Sequence, residues 1–210
     1  MKKSVVFKIA FTAIMSAASA ALMLLEIVVP IMPSFIKFDF SDFPGLFTGM
    51  AIGPSWGVLV CLVKNLIHIP MGSTGGVGEI ANFVIGAVYV FVASLIYKKM
   101  NKRIGILIGG LCGSVAMAAV AFPVNYYIVY PLYMKFIPLE AILNMYKEIN
   151  PNVNGLASAL LIFNTPFNVV KGLIITAITF AAYSVLAPLI ERVKAKTEKP
   201  AETVDKTDPQ

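Results

Sequence analysis

The sequence has few charged residues for its length. Lys, Arg, Asp and Glu make up 13% of its 210 residues, whereas soluble globular chains carry about 25%. Hydrophobic residues make up 58% of the chain, and the mean hydropathy is +0.82. This composition excludes an ordinary soluble protein and indicates an integral membrane protein.

Reactive and metal-binding motifs are also scarce. Cys61 and Cys112 stand alone in apolar segments, so neither a disulfide nor a metal site is indicated. The glycine-rich segment 72–79 lacks the Gly-Lys-Ser/Thr ending of a P-loop, and the chain has no HExxH motif or Asp-rich repeat. No internal repeat is evident either, which argues against an inverted-repeat transporter.

The basic residues are concentrated in three clusters. The net charge is +6, and the clusters are Lys2/Lys3/Lys8, Lys98/Lys99/Lys102/Arg103 and Arg192/Lys194/Lys196/Lys199. The positive-inside rule puts all three clusters in the cytoplasm. This placement reflects membrane topology and gives little support to nucleic-acid binding.

The apolar blocks cover residues 5–31, 43–70, 77–97, 104–131 and 156–189. The first block is too long for a signal-peptide core, so we expect a retained span. An even number of crossings must precede the second basic cluster, and the turn signal Gly53–Gly57 divides the second block into two short helices. We therefore predict an all-α integral membrane protein with six transmembrane helices and both termini cytoplasmic. Residues 1–190 form the membrane domain, and residues 191–210 form a disordered polar tail.

A polar stripe interrupts the last apolar block. Asn164, Asn168 and Lys171 are spaced i, i+4 and i+7, which places them within an arc of about 60° on one helix face. A charge at this depth is costly unless it faces a polar cavity or a partner, so the stripe predicts a lining for a solute. The alternative is that Lys171 only forms an internal ion pair with Glu79 or Asp39.

The outer loop 37–44 mixes acidic and aromatic side chains. One interpretation is a lid in which Phe rings cover a planar ligand while Asp39 holds a polar group. The other interpretation is a helix N-cap made by Ser41 or Asp42 ahead of Pro44.

Three further polar residues are candidates at the same outer end. Glu79 and Asn82 begin the fourth helix, where Glu79 could instead serve only the helix dipole. Asn125 follows Pro123, and its side chain could instead bond to a backbone carbonyl that the proline leaves free. His68 is interpreted as an interface residue and is not included in the site.

The first helix carries small residues at regular spacing. They are Ala10, Ala13, Ala17 and Ala21. Such spacing lets another helix approach closely, and that helix could belong to this chain or to a second protein.

Four segments together resemble a known family. They are Ala13–Ala17, Phe38–Pro44, Gly78–Phe83 and Asn164–Lys171, in that order. They resemble the riboflavin-specific S components of energy-coupling factor (ECF) transporters, and the resemblance extends over the whole chain except the tail.

The resemblance implies a non-enzymatic, multi-pass subunit of the bacterial plasma membrane that binds riboflavin, with FMN as a further candidate ligand. It implies docking through Ala10, Ala13, Ala17 and Ala21 onto a transmembrane coupling subunit that two ATP-binding subunits drive. Asn168 and Lys171 would donate hydrogen bonds to the polar edge of the flavin ring, with Asn125 in support. The other implied ligand-binding residues are Asp39, Glu79, Asn82 and Asn164. No cofactor is expected.

Other functions stay open from the residues alone. The nearest is an S component for another vitamin or a purine-like solute, because the pocket rather than the scaffold sets specificity. An intramembrane enzyme acting on a lipid or prenyl substrate lacks a recognisable nucleophile–base pair. A channel is disfavoured because the polar residues gather in the outer half.

Overall fold

The computed structural model describes residues 3–72 and 74–197. Its helices are α1 (Lys3–Leu24), α2 (Asp42–Ile52), α3 (Pro54–His68), α4 (Val77–Met100), α5 (Ile104–Val124), α6 (Tyr130–Tyr133), α7 (Leu139–Lys147), α8 (Leu156–Ala159), α9 (Thr165–Ala181) and α10 (Tyr183–Thr197). The π-helical turns Asn125–Val129 and Leu160–Asn164 join α5 to α6 and α8 to α9.

Four helical stretches in the described residues are long and apolar enough to cross a membrane. They are Ser4–Leu24, Val77–Met100, Ile104–Tyr133 and Leu156–Ala181. The prediction of a mainly helical chain with candidate membrane spans is therefore confirmed.

The prediction of an all-α chain needs one correction. Two antiparallel strands, β1 (Ile27–Val28) and β2 (Lys37–Phe38), lie in the α1–α2 connection. Strands of two residues are too short to leave an alternating pattern in the sequence.

The second apolar block is divided where the turn signal predicted. α2 ends at Ile52 and α3 begins at Pro54. Between them Gly53 has φ +121°, a conformation that side-chain-bearing residues rarely adopt. The two helices have 11 and 15 residues, or about 16 and 22 Å, which is less than the roughly 30 Å of a bilayer core.

The N-terminal part of α1, the α4–α5 connection and α10 share one end of the bundle. Ser4 Oγ donates a 2.7 Å hydrogen bond to the carbonyl oxygen of Thr197. Lys194 Nζ donates one of 2.7 Å to Asn101 Oδ1. The basic residues of α10 and of the α4–α5 connection therefore lie close together.

The α2–α3 turn lies at that same end. α2 and α4 run in the same direction, because α2 begins with Asp42 beside Gly86 and continues with Gly49 beside Ser94. The end of α2 at Ile52 therefore approaches the C-terminal end of α4.

The predicted boundary of the tail at residue 190 falls inside α10. Residues 191–197 of the predicted tail are helical, with Val193 and Thr197 buried. These two buried side chains lie where α10 packs against α1 and α2, so the segment forms a helix despite its polar composition. Residues 198–210 of the predicted tail lie outside the described residues.

An apolar layer fills the middle of the bundle. Its buried residues include Leu46, Val60, Cys61 and Val90. Helices α2 and α3 approach each other closely at Gly45, where an added Cβ would lie only 3.1 Å from Cys61 Sγ. This layer separates the end that carries α10 from the opposite end, where the polar side chains gather.

Candidate ligand-binding site

A cavity of about 150 Å³ lies at the end of the bundle away from α10. Its lining includes Met23 near the end of α1 and His68 at the end of α3. All seven residues predicted for the substrate site also line it: Asp39, Glu79, Asn82, Asn125, Asn164, Asn168 and Lys171. Residues from six separate parts of the chain therefore meet at one place.

The polar stripe of the last candidate membrane span faces this cavity. Asn164 closes a π-helical turn, and Asn168 and Lys171 follow in α9. Asn168 Nδ2 donates a 2.7 Å hydrogen bond to the backbone carbonyl of Asn164, which fixes one of its two N–H groups. Its amide oxygen and second N–H are left to face a ligand.

Two lysines and two aspartates form an ionic cluster at the floor of the cavity. Lys171 Nζ lies 2.9 Å from Asp39 Oδ2 and 3.3 Å from Asp42 Oδ2, and Lys64 Nζ lies 2.6 Å from Asp42 Oδ1. All four side chains are buried. Buried charges persist when they are paired and hydrogen-bonded, and here the two positive and two negative charges balance.

This arrangement shows which partners Lys171 and Asp42 have within the protein. Lys171 pairs with Asp39 and Asp42 and not with Glu79. The expected side-chain N-cap is wrong, because Ser41 precedes α2 without a capping hydrogen bond and Asp42 turns to the lysines. An ammonium has three N–H donors, so two contacts to carboxylates leave one for a ligand.

Asp39 is engaged on both oxygens by the protein itself. Oδ1 accepts a 2.8 Å hydrogen bond from the backbone N–H of Ser41 and another from its hydroxyl. Oδ2 accepts from Lys171 and, at 3.4 Å, from Asn82 Nδ2. Burial opposes ionisation, but Lys171 and Lys64 outweigh it and hold the pKa of Asp39 below its usual value. Asp39 therefore fixes the positions of the Lys171 ammonium and the Asn82 amide through hydrogen bonds.

A second polar group lies at the start of α4. Glu79 Oε1 lies 2.8 Å from His68 Nδ1, and Glu79 Oε2 accepts a 2.7 Å hydrogen bond from Thr74 Oγ1. All three residues line the cavity. Glu79 is therefore held by a histidine and a hydroxyl rather than by a lysine.

The two remaining candidate amides differ in which of their atoms form hydrogen bonds within the protein. Asn125 Nδ2 donates a 2.8 Å hydrogen bond to the carbonyl of Ala121 and not to that of Ala119, which Pro123 leaves free, and the side chain lines the cavity. Asn82 Oδ1 is buried and has no hydrogen-bond partner among the described residues. An unpaired buried acceptor is costly, which makes Asn82 a candidate for receiving a ligand donor.

The aromatic lining differs from the predicted lid. Phe38 packs against Phe40 and Phe167, and neither Phe38 nor Phe40 lines the cavity. The aromatic side chains at the cavity are Phe35, Tyr130, Tyr133 and Phe167. Phe38 and Phe40 thus lie outside the cavity lining in this structure, and a lid formed by them over a bound ligand stays a prediction.

A family model supplies the identification. The model for the substrate-specific component of ECF transporters matches residues 7–183. The chain belongs to this family. The resemblance inferred from the four segments is thereby confirmed, and the chain is an S component.

Proteins similar to the S component include two named riboflavin transporters. FmnP of Bacillus subtilis (strain 168) is 30% identical over 191 residues, covering 90% of this chain and 96% of the relative. RibU of Staphylococcus aureus (strain TCH60) is 31% identical over 179 residues, covering 85% and 89%. A solved S component of a bacterial ECF transporter matches with a TM-score of 0.69 at 28% identity, covering 88% of this chain and 98% of that chain.

The small residues of α1 form an exposed stripe on the S component. Ala10, Ala13, Ala17 and Ala21 are all exposed and fall within an arc of about 80°. Thr12, Ser16 and Ser19, on the opposite side of α1, are buried. The alanine stripe, meaning these four residues, therefore does not pack against another helix of the described chain.

Sequence reasoning missed His68 in the cavity lining and both Asp42 and Lys64 in the ionic cluster. His68 was set aside, although it is the only histidine and lies just before the loop that leads to Glu79. Asp42 is interpreted from the sequence as a helix cap, and Lys64 is not among the predicted site residues, although the two pair with each other. The available signal was that Lys64 is a second charge in an apolar block, which requires a partner as Lys171 does.

Proposed function

We propose that this S component binds riboflavin at its outer face and delivers it through an ECF importer. The observation that carries the proposal is the meeting of seven polar side chains at one cavity, in a chain whose relatives are named riboflavin transporters. The seven are Asp39, Glu79, Asn82, Asn125, Asn164, Asn168 and Lys171. The protein acts as a binding subunit and not as an enzyme.

The chemistry of the cavity suits a flavin. One edge of the flavin ring alternates carbonyl, N–H and carbonyl groups, so it needs both donors and acceptors. Asn168 offers an amide oxygen and an N–H, and Lys171 offers its third N–H. The apolar face of the ring matches Met117, Val129 and Phe167 in the lining.

The ribityl chain carries several hydroxyl groups, which can donate and accept hydrogen bonds. Glu79 and Asn82 are the acceptors available for them. Asp39 supports this site indirectly, because its contacts hold Lys171 and Asn82.

We further propose six crossings, made by α1, α2, α3, α4, α5 and α9, with both termini in the cytoplasm of a bacterial plasma membrane. The short α2 and α3 cross within the bundle, where other helices cover their ends. The gathering of basic residues of α10 and the α4–α5 connection at one end supports this orientation.

Delivery requires partners that supply energy, since the sequence contains no P-loop. We assign the alanine stripe as the docking surface for a transmembrane coupling subunit that two ATP-binding subunits drive. Its exposure and its small side chains permit close approach of a partner helix.

The function is tested by purifying the protein from cells grown with riboflavin and measuring flavin absorbance in the purified fraction. Flavin-free protein is then titrated with riboflavin, and quenching of flavin fluorescence gives the affinity. FMN is titrated in parallel to determine whether the site takes both flavins, and thiamine serves as the non-flavin control. Absence of riboflavin binding by folded protein would remove the proposal.

A further inference from the structure

A closed triad of hydrogen bonds lies behind the cavity. Tyr146 Oη donates to Asn164 Oδ1 at 2.7 Å, and Asn164 Nδ2 donates to Tyr130 Oη at 3.3 Å. The hydroxyls of Tyr130 and Tyr146 also bond to each other. Tyr130 and Asn164 line the cavity, whereas Tyr146 does not. Its side chain is fully buried behind them.

The triad fixes the direction of each hydrogen bond. A phenol has one proton, so Tyr146, which donates to Asn164, must accept from Tyr130. The distances agree, because O–H···O contacts are typically shorter than N–H···O contacts. The amide oxygen of Asn164 is thus held by Tyr146. One amide N–H goes to Tyr130, and the second N–H is left over.

Tyr146 is placed by packing independent of its hydroxyl. It lies on α7, the short helix of the connection between α6 and α8. Its ring meets Phe35 edge-on at 6.0 Å and Phe163 at 5.2 Å between ring centroids. The aromatic neighbours therefore fix the position of the ring, and the hydroxyl forms its hydrogen bond to the Asn164 amide.

We propose that Tyr146 is a positioning residue that orients the Asn164 amide so that it offers a hydrogen-bond donor to the ligand. This inference rests on the proposed riboflavin site and adds a residue outside the cavity. It assigns the ligand group at Asn164 as an acceptor, such as a ring carbonyl, a ring nitrogen or a hydroxyl oxygen. Without the Tyr146 hydroxyl, the amide can rotate and present its oxygen instead.

The test is a double-mutant cycle measured by riboflavin titration of purified protein. Tyr146→Phe should weaken riboflavin binding about three- to ten-fold, the equivalent of one neutral hydrogen bond. In an Asn164→Ala background the same substitution should change the affinity by less than about two-fold, because the residue it acts on is gone. Tyr127→Phe, at an exposed tyrosine, is the matched control and should change nothing.

The outcomes separate this inference from the proposed function. Wild-type protein that does not bind riboflavin would remove both. Wild-type binding with an unaffected Tyr146→Phe variant, or an equal loss in both backgrounds, would overturn the positioning role alone. Asn164→Asp provides a second measurement, because it keeps an oxygen for Tyr146 but has no N–H. Affinity that survives this change would show that Asn164 is not a donor.

Discussion

The sharpest prediction concerns Lys171, which serves the fold and the ligand at once. Lys171→Met keeps most of the side-chain volume and removes the ammonium that contacts Asp39 and Asp42. Breaking a buried ion pair from one side typically costs about 3–5 kcal/mol of stability. The lost N–H donor should weaken riboflavin binding by about 1.5–3 kcal/mol, or roughly ten- to 150-fold.

Lys64→Met is the matched control for this prediction. Lys64 belongs to the same ionic cluster and is fully buried, but it does not line the cavity. Its loss should cost a similar amount of stability, because Asp42 then keeps only the longer contact to Lys171. Riboflavin affinity should change much less than in Lys171→Met, because no donor to the ligand is removed.

Thermal unfolding in detergent measures the stability of both variants, and fluorescence titration measures their affinity. The expected pattern is two comparable losses of stability with one large loss of affinity. Equal losses of affinity in the two variants would refute the reasoning. Lys171 would then act only through the ionic cluster and would not contact the ligand.

Three further predictions concern the ligand, the partner and the membrane. Asn168→Ala should weaken riboflavin binding by about 0.5–1.5 kcal/mol in the same titration, since the lost donor is neutral; unchanged affinity would remove Asn168 from the site. Ala17→Trp should abolish riboflavin uptake by cells while leaving binding intact, whereas Val115→Trp on α5 should affect neither; loss of binding in Ala17→Trp would mean that this face packs within the subunit. In a variant without native cysteines, an impermeant thiol reagent applied outside should label Asn152→Cys and not Ser55→Cys, and labelling of the latter would exclude six crossings.

Features confined to one helix could be predicted from the sequence. Asn164, Asn168 and Lys171 lie on one face because helix periodicity alone determines their directions. The break between α2 and α3 was predictable because Gly53 and Pro54 act on the local backbone. Such features need no knowledge of neighbouring helices.

Contacts between helices were harder to predict, because they depend on register. Nothing in the sequence sets the depth of α3 against that of α2, so Lys64 could not be assigned to Asp42. The π-helical turn before α9 adds a residue to one turn of the helix, and this brings Asn164 to Tyr130 and Tyr146. Tyr146 falls between the apolar blocks 104–131 and 156–189, where the sequence predicts no helix and the structure forms α7.

The balance of charge in the ionic cluster has a consequence for how the subunit responds to voltage. A membrane potential does work of about 2.3 kcal/mol on each elementary charge moved through 100 mV. The two aspartates and two lysines sum to zero, so the potential exerts no net force on the floor of the cavity. The ionic cluster and an uncharged ligand can thus shift along the membrane normal without working against the field. Lys171→Met would leave one net negative charge there and would make such movement dependent on voltage.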